Sequence, residues 1–355
     1  MIGPRLKAAR VAAGLSLRDL EAKIGNRVTA QAIGKYERNA DMPSAGVLSA
    51  LAEALGLSKE YLLSPNELTF EGVEFRKKAI ASKREETSVE GRTLQLLERY
   101  LAVEGILGLA SVVWDRPREA PYPVRAVADA ENAARALRTH WGLGIESIPS
   151  MVELLEERGI KVLSVELDNI DGLMATVTRK HGEPVPVIVV KTSAWAERKR
   201  FTLSHELGHM VTQVATGVNA ESAAHRFAGA FLMPAEALWA EIGKSRTSIS
   251  LGELLHLKLL FGASFQCIAF RCRDLQIIGD TTFRTLFKIF SQRGWRSPPY
   301  REPGAIDPKQ EEPTRLERLC FRALAEGMMT DTRAAELIGV SLEELTRLMD
   351  HPTSI

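Results

Sequence analysis

The chain has 355 residues, of which 45% are hydrophobic, 26% charged and 6% aromatic. This length exceeds that of one typical domain and predicts two or three, and the composition is that of an ordinary globular protein. The formal net charge of +1 excludes a chain that is basic throughout, so any surface for nucleic acid has to be local.

The three cysteines are too few for a disulfide framework and favour a reducing compartment. Cys267 and Cys272 match no common zinc-binding spacing and are assigned to the core of a helix. The sequence contains no apolar run of about 18 residues, the length that a membrane span needs, and begins without the apolar run of a signal peptide. We therefore expect a cytoplasmic protein with no membrane partner.

Residues 1–64 carry nine Lys and Arg against six Asp and Glu, a local balance of +3. Their apolar spacing predicts five short helices, with Ser16 and Thr29 as N-caps of the second and third. The third helix is predicted to enter the DNA major groove, as in a helix-turn-helix. Its candidate DNA contacts are Thr29, Gln31, Lys35 and Arg38, since Gln suits adenine while Lys and Arg suit phosphates or guanine. The alternative is a small helical bundle that binds protein.

The segments LRDLEAKIG, AIGKYERN and PSAGVLSALAEALGLSKEYLL resemble the XRE/Cro-repressor-like helix-turn-helix family over nearly all of residues 3–63. The turn before the third helix, GNRV, is longer than usual in that family. The resemblance implies a double-stranded DNA operator as partner. Because such heads usually read two half-sites, a homodimer is also expected.

Residues 65–128 are predicted to form a helical linker with a possible dimer contact. A helical stripe runs through Leu94, Leu97, Leu101, Ile106 and Leu109. This stripe either pairs with its copy in a dimer or packs on the next domain. The following segment WDRPREAPYPVR has three prolines in twelve residues, which is typical of a linker.

Residues 129–280 begin with two predicted helices, followed by the segments IKVLSVEL, GLMATVTRK and PVPVIVVK. These are short, rich in β-branched residues and separated by turns, which predicts a small three-stranded sheet. Two further helices follow, SAWAERKRFTLSHELGHMVTQ and AESAAHRFAGAFLMP. The predicted class of the whole chain is α+β, mostly helical.

The first of these two helices contains His205-Glu206-Leu207-Gly208-His209. Residues four apart share one helix face, so His205 and His209 can bind one zinc ion, and Glu206 can act as general base on a water polarised by that ion. A third protein ligand is needed, and Glu221 on the first turn of the next helix is the best candidate. His225, one turn later, donates to the oxyanion, holds Glu221, or is itself the third ligand. The alternative is a partly exposed helix with two surface histidines.

The segments RKRFTLSHELGHM and AESAAHRFAGAFLMP, preceded by IDGLMATV and VPVIVVKTS, resemble the ImmA/IrrE family of metallo-endopeptidases over about residues 129–280. The resemblance implies a zincin-like helical domain in which His205, His209 and Glu221 bind zinc and Glu206 is the general base. The segment between His209 and Glu221 is shorter than in many members of that family.

Residues 281–355 hold a proline-rich segment, predicted to be extended and exposed, and then a C-terminal helical bundle. The last two helices, TRAAELIGVSLEEL, allow either a second DNA reader or a protein-contact or regulatory bundle. Acidic and basic residues balance each other in this region, which favours the protein-contact or regulatory bundle. A cut of the chain by itself is expected to be easiest in the proline-rich segment or in the linker at 115–125, because a protease needs an extended, mobile strand.

Together these patterns predict a DNA-binding transcriptional regulator with a zinc-dependent endopeptidase domain. The peptidase would cut a partner repressor, or the chain itself, in response to a stress or phage-related signal. The alternative is an antitoxin-like or ligand-sensing transcription factor whose peptidase-like domain is not catalytic. The two hypotheses differ at Glu206, which only the peptidase needs.

Overall fold

The structure, a computed structural model, describes residues 2–63, 68–77, 83–166, 170–179, 183–296 and 302–350. Helices surround a four-stranded sheet and a separate two-stranded sheet. The predicted α+β, mostly helical class is confirmed.

The head consists of five short helices, as predicted. They are α1 (Gly3–Ala12), α2 (Leu17–Lys23), α3 (Ala30–Glu37), α4 (Ala45–Leu55) and α5 (Lys59–Leu63). The side chains of Ser16 and Thr29 accept backbone N–H groups at the starts of α2 and α3, because the first turn of a helix leaves its donors without partners. Leu6, Leu20 and Ile33 are fully buried at the centre of this head.

Part of the segment predicted as a helical linker forms a strand of the main sheet. Another part forms a helix that packs on this sheet. These elements are β1 (Leu68–Lys77) and α6 (Lys83–Ile106). The remaining strands of the sheet are β3 (Lys161–Val165), β4 (Ile170–Arg179) and β5 (Val185–Lys191). The strand order is β1-β4-β5-β3, so the predicted three-stranded sheet gains a fourth strand, antiparallel to β4. Leu68 and Phe70 alternate with polar residues, and after a shift of one residue so do Val73 and Phe75. This pattern is a sequence signal of a strand, which the linker assignment overlooks.

The apolar stripe of α6 packs within its own chain. Leu97, Tyr100 and Val103 are buried in one core with Leu173 of β4 and Val187 of β5. Leu94, Leu101, Ile106 and Leu109 are half-buried against the same core. Of the two alternatives for this stripe, the structure has the one in which it covers the neighbouring domain.

The other face of the sheet carries the helices of the candidate site. These and the helices around them are α7 (Ala130–His140), α8 (Met151–Glu157), α9 (Ala196–Val211), α10 (Ala220–Leu232), α11 (Ala235–Ile242), α12 (Leu251–Phe261), α13 (Phe265–Asp274) and α14 (Asp280–Gln292). Ile188 and Val190 of β5 are buried in one core with Leu203 and Leu207 of α9. The helix α9 therefore packs directly on this face of the sheet, and this packing fixes its position.

The segment predicted as a proline-rich linker at 115–125 also enters a sheet. Its strand β2 (Tyr122–Val124) pairs in parallel with β6 (Thr212–Val214), which directly follows α9. This pairing holds residues 122–124 beside the end of the candidate catalytic helix. Residues 122–124 are therefore extended but paired in a sheet, which makes them a poor place for a self-cut.

Three helices end the described chain, as predicted: α15 (Arg315–Ala325), α16 (Asp331–Ile338) and α17 (Leu342–Asp350). Leu319, Cys320, Ala323 and Leu337 join the core that α6 forms with the sheet. The tail thus packs on the face of the sheet opposite to α9.

The proline-rich segment before this bundle is not wholly exposed, which corrects the prediction. Glu311 is completely buried and forms an ion pair of 2.5 Å with Arg200 of α9. Its carboxylate also accepts the backbone N–H groups of Met151 and Val152 at the start of α8, at 3.0 and 3.1 Å. A buried carboxylate needs such partners, and here they attach the segment to the candidate catalytic helix. Pro298 and Pro299 lie outside the described residues.

Within the described ranges, no single helix is long and apolar enough to cross a membrane. The pair α12 and α13 passes that test jointly by length and composition, with a bend of 96° between them. Both Cys267 and Cys272 lie on α13, as the assignment to a helix core predicts.

Candidate metal centre and DNA-binding helix

The helix α9 brings His205 and His209 together on one face. Their Nε2 atoms are 3.1 Å apart, and their ring centroids are 4.8 Å apart. His205 is completely buried, and the side chain of His209 is 14% exposed. The spacing of four residues positions both rings because one helical turn is 3.6 residues long.

The helix α10 adds the carboxylate of Glu221. Gly217 adopts a positive φ of 89° in the turn after β6, and Asn219 caps α10 by accepting the backbone N–H of Ser222 at 2.8 Å. Glu221 therefore lies on the first turn of α10, beside the two histidines. Its nearest oxygens are 3.5 Å from Nε2 of His205 and 3.4 Å from Nε2 of His209. The short segment between His209 and Glu221 thus still brings the carboxylate within reach.

The three donor atoms have the spacing that a tetrahedral zinc ion requires. Zn–N and Zn–O distances of about 2.0–2.1 Å imply ligand atoms about 3.3 Å apart. The separations between His205, His209 and Glu221 of 3.1, 3.4 and 3.5 Å lie close to this value. Two imidazoles and one carboxylate are also a common donor set for catalytic zinc. The residues present therefore fit the metal that the sequence predicts.

Glu206 follows His205 on α9 and faces the strand β4. It is 1% exposed. A Cβ atom built on Gly172 of β4 would lie 3.6 Å from Oε1 of Glu206 and only 2.5 Å from Cγ2 of Thr202. Glycine at 172 thus allows the backbone of β4 to lie directly against the helix beside the candidate general base.

His225 lies one turn after Glu221 on α10 and is exposed. Its ring centroid is 4.7 Å from that of His205, and it stacks on Phe201 at 5.7 Å with an angle of 24° between the planes. The group of donor atoms that all lie within 4.8 Å of one another consists of His205, His209 and Glu221. This geometry favours Glu221 over His225 as the third ligand and leaves His225 at the rim of the site.

An ion-pair network that the sequence analysis missed supports α10. Glu131 of α7 binds Arg271 of α13 through two contacts, at 2.5 and 2.6 Å, and Arg226 of α10 at 3.0 Å. Burial by itself would raise the pKa of Glu131, but the two arginines outweigh it and hold this pKa below its ordinary value. Arg226 directly follows His225, so the network fixes the orientation of the helix that carries Glu221. The partners are 95 and 140 residues apart in sequence, and no local pattern connects them.

A cavity of about 770 Å³ opens beside His225. Aromatic side chains, among them Trp195, Phe201 and Phe270, form part of its wall together with arginines such as Arg198 and Arg273. A cleft of this size next to the candidate metal ligands has room for side chains of a peptide. The sequence analysis did not predict this cleft, because its walls come from three separate helices, α9, α10 and α13, and from the segments before α7 and after α14.

In the head, α3 exposes the predicted DNA contacts. Gln31, Lys35 and Arg38 are exposed, three or four residues apart on one side. Thr29 is also exposed, but its hydroxyl accepts the N–H of Ala32 at 3.2 Å, so its first role is to cap α3. The long turn before α3 contains Gly25 and Asn26, both with positive φ, and these two residues reverse the chain direction after α2.

The head has the helices of a helix-turn-helix, and in the domain that follows two helices bring two histidines and one carboxylate to the spacing of zinc ligands. The class that these features define is a DNA-binding regulator with a metallopeptidase-like domain. Residues 6–62 match the helix-turn-helix family model HTH_3, and residues 155–273 match Peptidase_M78, the IrrE N-terminal-like domain. The chain thus joins an XRE-type helix-turn-helix to an IrrE/ImmA-like domain, and both resemblances drawn from the sequence are confirmed. A comparison with curated proteins finds no match to the chain.

Proposed function

We propose that this protein is a cytoplasmic, DNA-binding transcriptional regulator with a zinc-dependent endopeptidase domain. The peptidase cuts a repressor-like partner protein, or the chain itself, when a stress or phage-related signal arrives. The head binds a double-stranded operator through Thr29, Gln31, Lys35 and Arg38, as a homodimer.

One observation carries the peptidase part of this proposal. The donor atoms of His205, His209 and Glu221 stand 3.1–3.5 Å apart, and Glu206 lies on the same helix as both histidines. An accidental pair of histidines on a helix would not also bring a carboxylate from a second helix to this spacing. The match of residues 155–273 to a peptidase family supports the same chemistry.

Zinc at this site would polarise the scissile carbonyl and the attacking water. Glu206 takes a proton from that water as its oxygen bonds to the carbonyl carbon, and returns a proton to the amide nitrogen as the C–N bond breaks. His225 at the rim donates an N–H to the carbonyl oxygen while negative charge develops there. The Glu131–Arg226 pair keeps α10 in place, so that Glu221 and His225 stay aligned.

A second candidate is a transcription factor whose peptidase-like domain senses a partner without cutting it. The burial of His205 and Glu206, which are 0% and 1% exposed, favours this candidate, since a general base has to reach water and substrate. Both functions share the DNA-binding head. They differ in whether Glu206 is required.

The test is peptide hydrolysis by the full-length, zinc-loaded chain. A proteome-derived peptide mixture is incubated with the wild type and with Glu206→Gln, and new termini are identified by mass spectrometry. We expect new termini with the wild type only. Equal cutting by both proteins would remove Glu206 from the mechanism. Absence of cutting by a zinc-loaded wild type whose site is open would favour the sensor.

A further inference from the structure

The outer edge of β4 is covered by a strand from outside the peptidase-like domain. The matched region, residues 155–273, contains β3, β4 and β5, and within it β4 would be an edge strand. An edge strand presents N–H and C=O groups that are ready to pair with another chain. Here β1, which lies in neither matched region, pairs with that edge from Leu68↔Arg179 to Lys77↔Ile170.

This covered edge runs beside the candidate general base. Gly172 of β4 is the point at which the strand lies against Glu206, with 3.6 Å between a built Cβ and Oε1. The ladder places Phe75 opposite Leu173 and Lys77 opposite Ile170. Since neighbouring strands are about 4.8 Å apart, the β1 backbone around residue 76 is the next main chain beyond Gly172.

An extended peptide adds to an exposed sheet edge through main-chain hydrogen bonds. A peptide that is to be cut at this site therefore needs the edge that passes Glu206. We propose that Leu68–Lys77 occupies the place on β4 that an extended peptide substrate takes, so that a substrate has to displace this strand before the chain can cut it. The inference rests on the proposed function and names its substrate class, an extended segment that pairs antiparallel with β4.

Two features favour the release of β1 from β4. Its ladder with β4 is interrupted twice, between Glu71 and Glu74 and between Phe75 and Lys77, and each interruption locally disrupts the regular pairing. It also lies in the chain between the head, whose last helix ends at Leu63, and α6, which begins at Lys83. A movement of the head on DNA or on a partner would therefore act directly on the strand. The complete burial of His205 and near-complete burial of Glu206 agree with a closed state.

The test is strand exchange, followed in a Glu206→Gln background so that cutting cannot interfere. The probe is a fluorescent peptide with the sequence of β1, LTFEGVEFRK. The opened variant carries Phe70→Pro together with Glu71→Pro. Successive N–H groups of a strand point to opposite sides, so one of these two prolines removes a hydrogen bond to β4. We expect the opened variant to bind the peptide at least tenfold more tightly than its parent, and a scrambled peptide to bind neither.

A locked variant keeps the test decisive if the prolines unfold the chain. Thr69 and Thr178 are direct partners in the ladder, at Cα distances that a disulfide spans in antiparallel pairs. In Thr69→Cys/Thr178→Cys, oxidation should abolish any peptide binding and reduction should restore it, whereas the single-cysteine variants should not respond.

Equal peptide binding by oxidised and reduced forms, or by the opened variant and its parent, would overturn the inference. Cleavage of the wild type within residues 68–77 on addition of zinc would also overturn the blocking role, since the strand would then be a substrate. Peptide exchange does not need catalysis. Exchange that is observed in the Glu206→Gln chain, without cutting by an opened chain that retains Glu206, would therefore count against the peptidase alone.

Discussion

The ring of Phe227 lies directly against Gly208. A Cβ atom at position 208 would stand 2.9 Å from Cδ1 of Phe227, closer than real side chains come. Gly208 lies between the two histidines on α9, and Phe227 lies on α10, the helix that carries Glu221. The glycine within the His-Glu-x-x-His sequence thus sets how closely the third candidate ligand approaches the other two.

Gly208→Ala should therefore weaken zinc binding without touching a ligand. The added methyl group has to push Phe227 away, and the fully buried ring can move only together with α10. Overpacking of this kind costs about 1–3 kcal/mol. We expect a roughly tenfold or greater loss of zinc affinity in a competition with a chelator. Gly229→Ala on α10 is the matched control, because its Cβ would meet the nearest side chain at an ordinary 3.6 Å. Unchanged affinity in Gly208→Ala would contradict the argument.

The identity of the third ligand can be decided by metal content. The wild type should hold about one zinc per chain, since three donors complete a catalytic site. Glu221→Ala should lose the metal, and His225→Ala should keep it, because Glu221 places oxygens 3.5 and 3.4 Å from the Nε2 atoms of His205 and His209. Mass spectrometry of the purified proteins measures this directly. Retention in Glu221→Ala with loss in His225→Ala would exchange the two roles.

Glu131→Gln should destabilise the protein strongly, since it leaves Arg271, 1% exposed, without its carboxylate. Loss of one partner from a buried pair costs about 3–5 kcal/mol. The pKa of Glu131 is lowered, so the pair stabilises the fold at neutral pH, and this contribution is lost as the pH falls below the ordinary range of a glutamate. Urea unfolding at pH 7 and pH 4 should show a large difference between wild type and variant at pH 7 and a smaller one at pH 4. Glu236→Gln removes the exposed pair with Arg135 and should cost about 0–1 kcal/mol at either pH.

The contribution of Glu156 to the free energy of unfolding should have the opposite pH dependence. Burial raises its pKa to about 7, and Oε2 has no hydrogen-bond partner among the described residues. The folded chain then holds a proton that the unfolded chain releases, so stability falls as the pH rises through about 7. Glu156→Gln should be more stable than the wild type at pH 8, by up to about 3 kcal/mol, and nearly equal to it at pH 4. The exposed Glu157→Gln serves as control, and a difference that does not vary with pH would refute the assignment.

In the head, Gln31→Ala and Lys35→Ala should weaken DNA binding in different ways. Loss of a base contact by Gln31 should cost about 1–3 kcal/mol and relax preference at one base position. Loss of a phosphate contact by Lys35 should weaken binding to all DNA sequences. It should also reduce the slope of log binding constant against log salt concentration by about one. Operators selected from random DNA, followed by titrations at several salt concentrations, measure both. Unchanged operator affinity in Gln31→Ala would rule out α3 as the recognition helix.

Much of the candidate site was readable from the sequence because it depends on helical geometry and capping. The spacing of His205 and His209, and the cap that starts α10 two residues before Glu221, are local features. The same holds for the five helices of the head. The three predicted strands are also present, since alternation and turn residues are local signals.

The sequence by itself therefore determined the two domains' classes, the helix with the zinc-type motif and the candidate ligands. Only the tertiary structure decided that β1 pairs with β4 beside Glu206, that Glu311 attaches the tail to Arg200, and that Glu131 fixes Arg226 and Arg271. These contacts join residues 93 to 140 positions apart. The free energy that stabilises these contacts comes from the burial and pairing of groups that meet only in the assembled fold. Local structural propensity does not depend on these groups and therefore cannot predict the contacts.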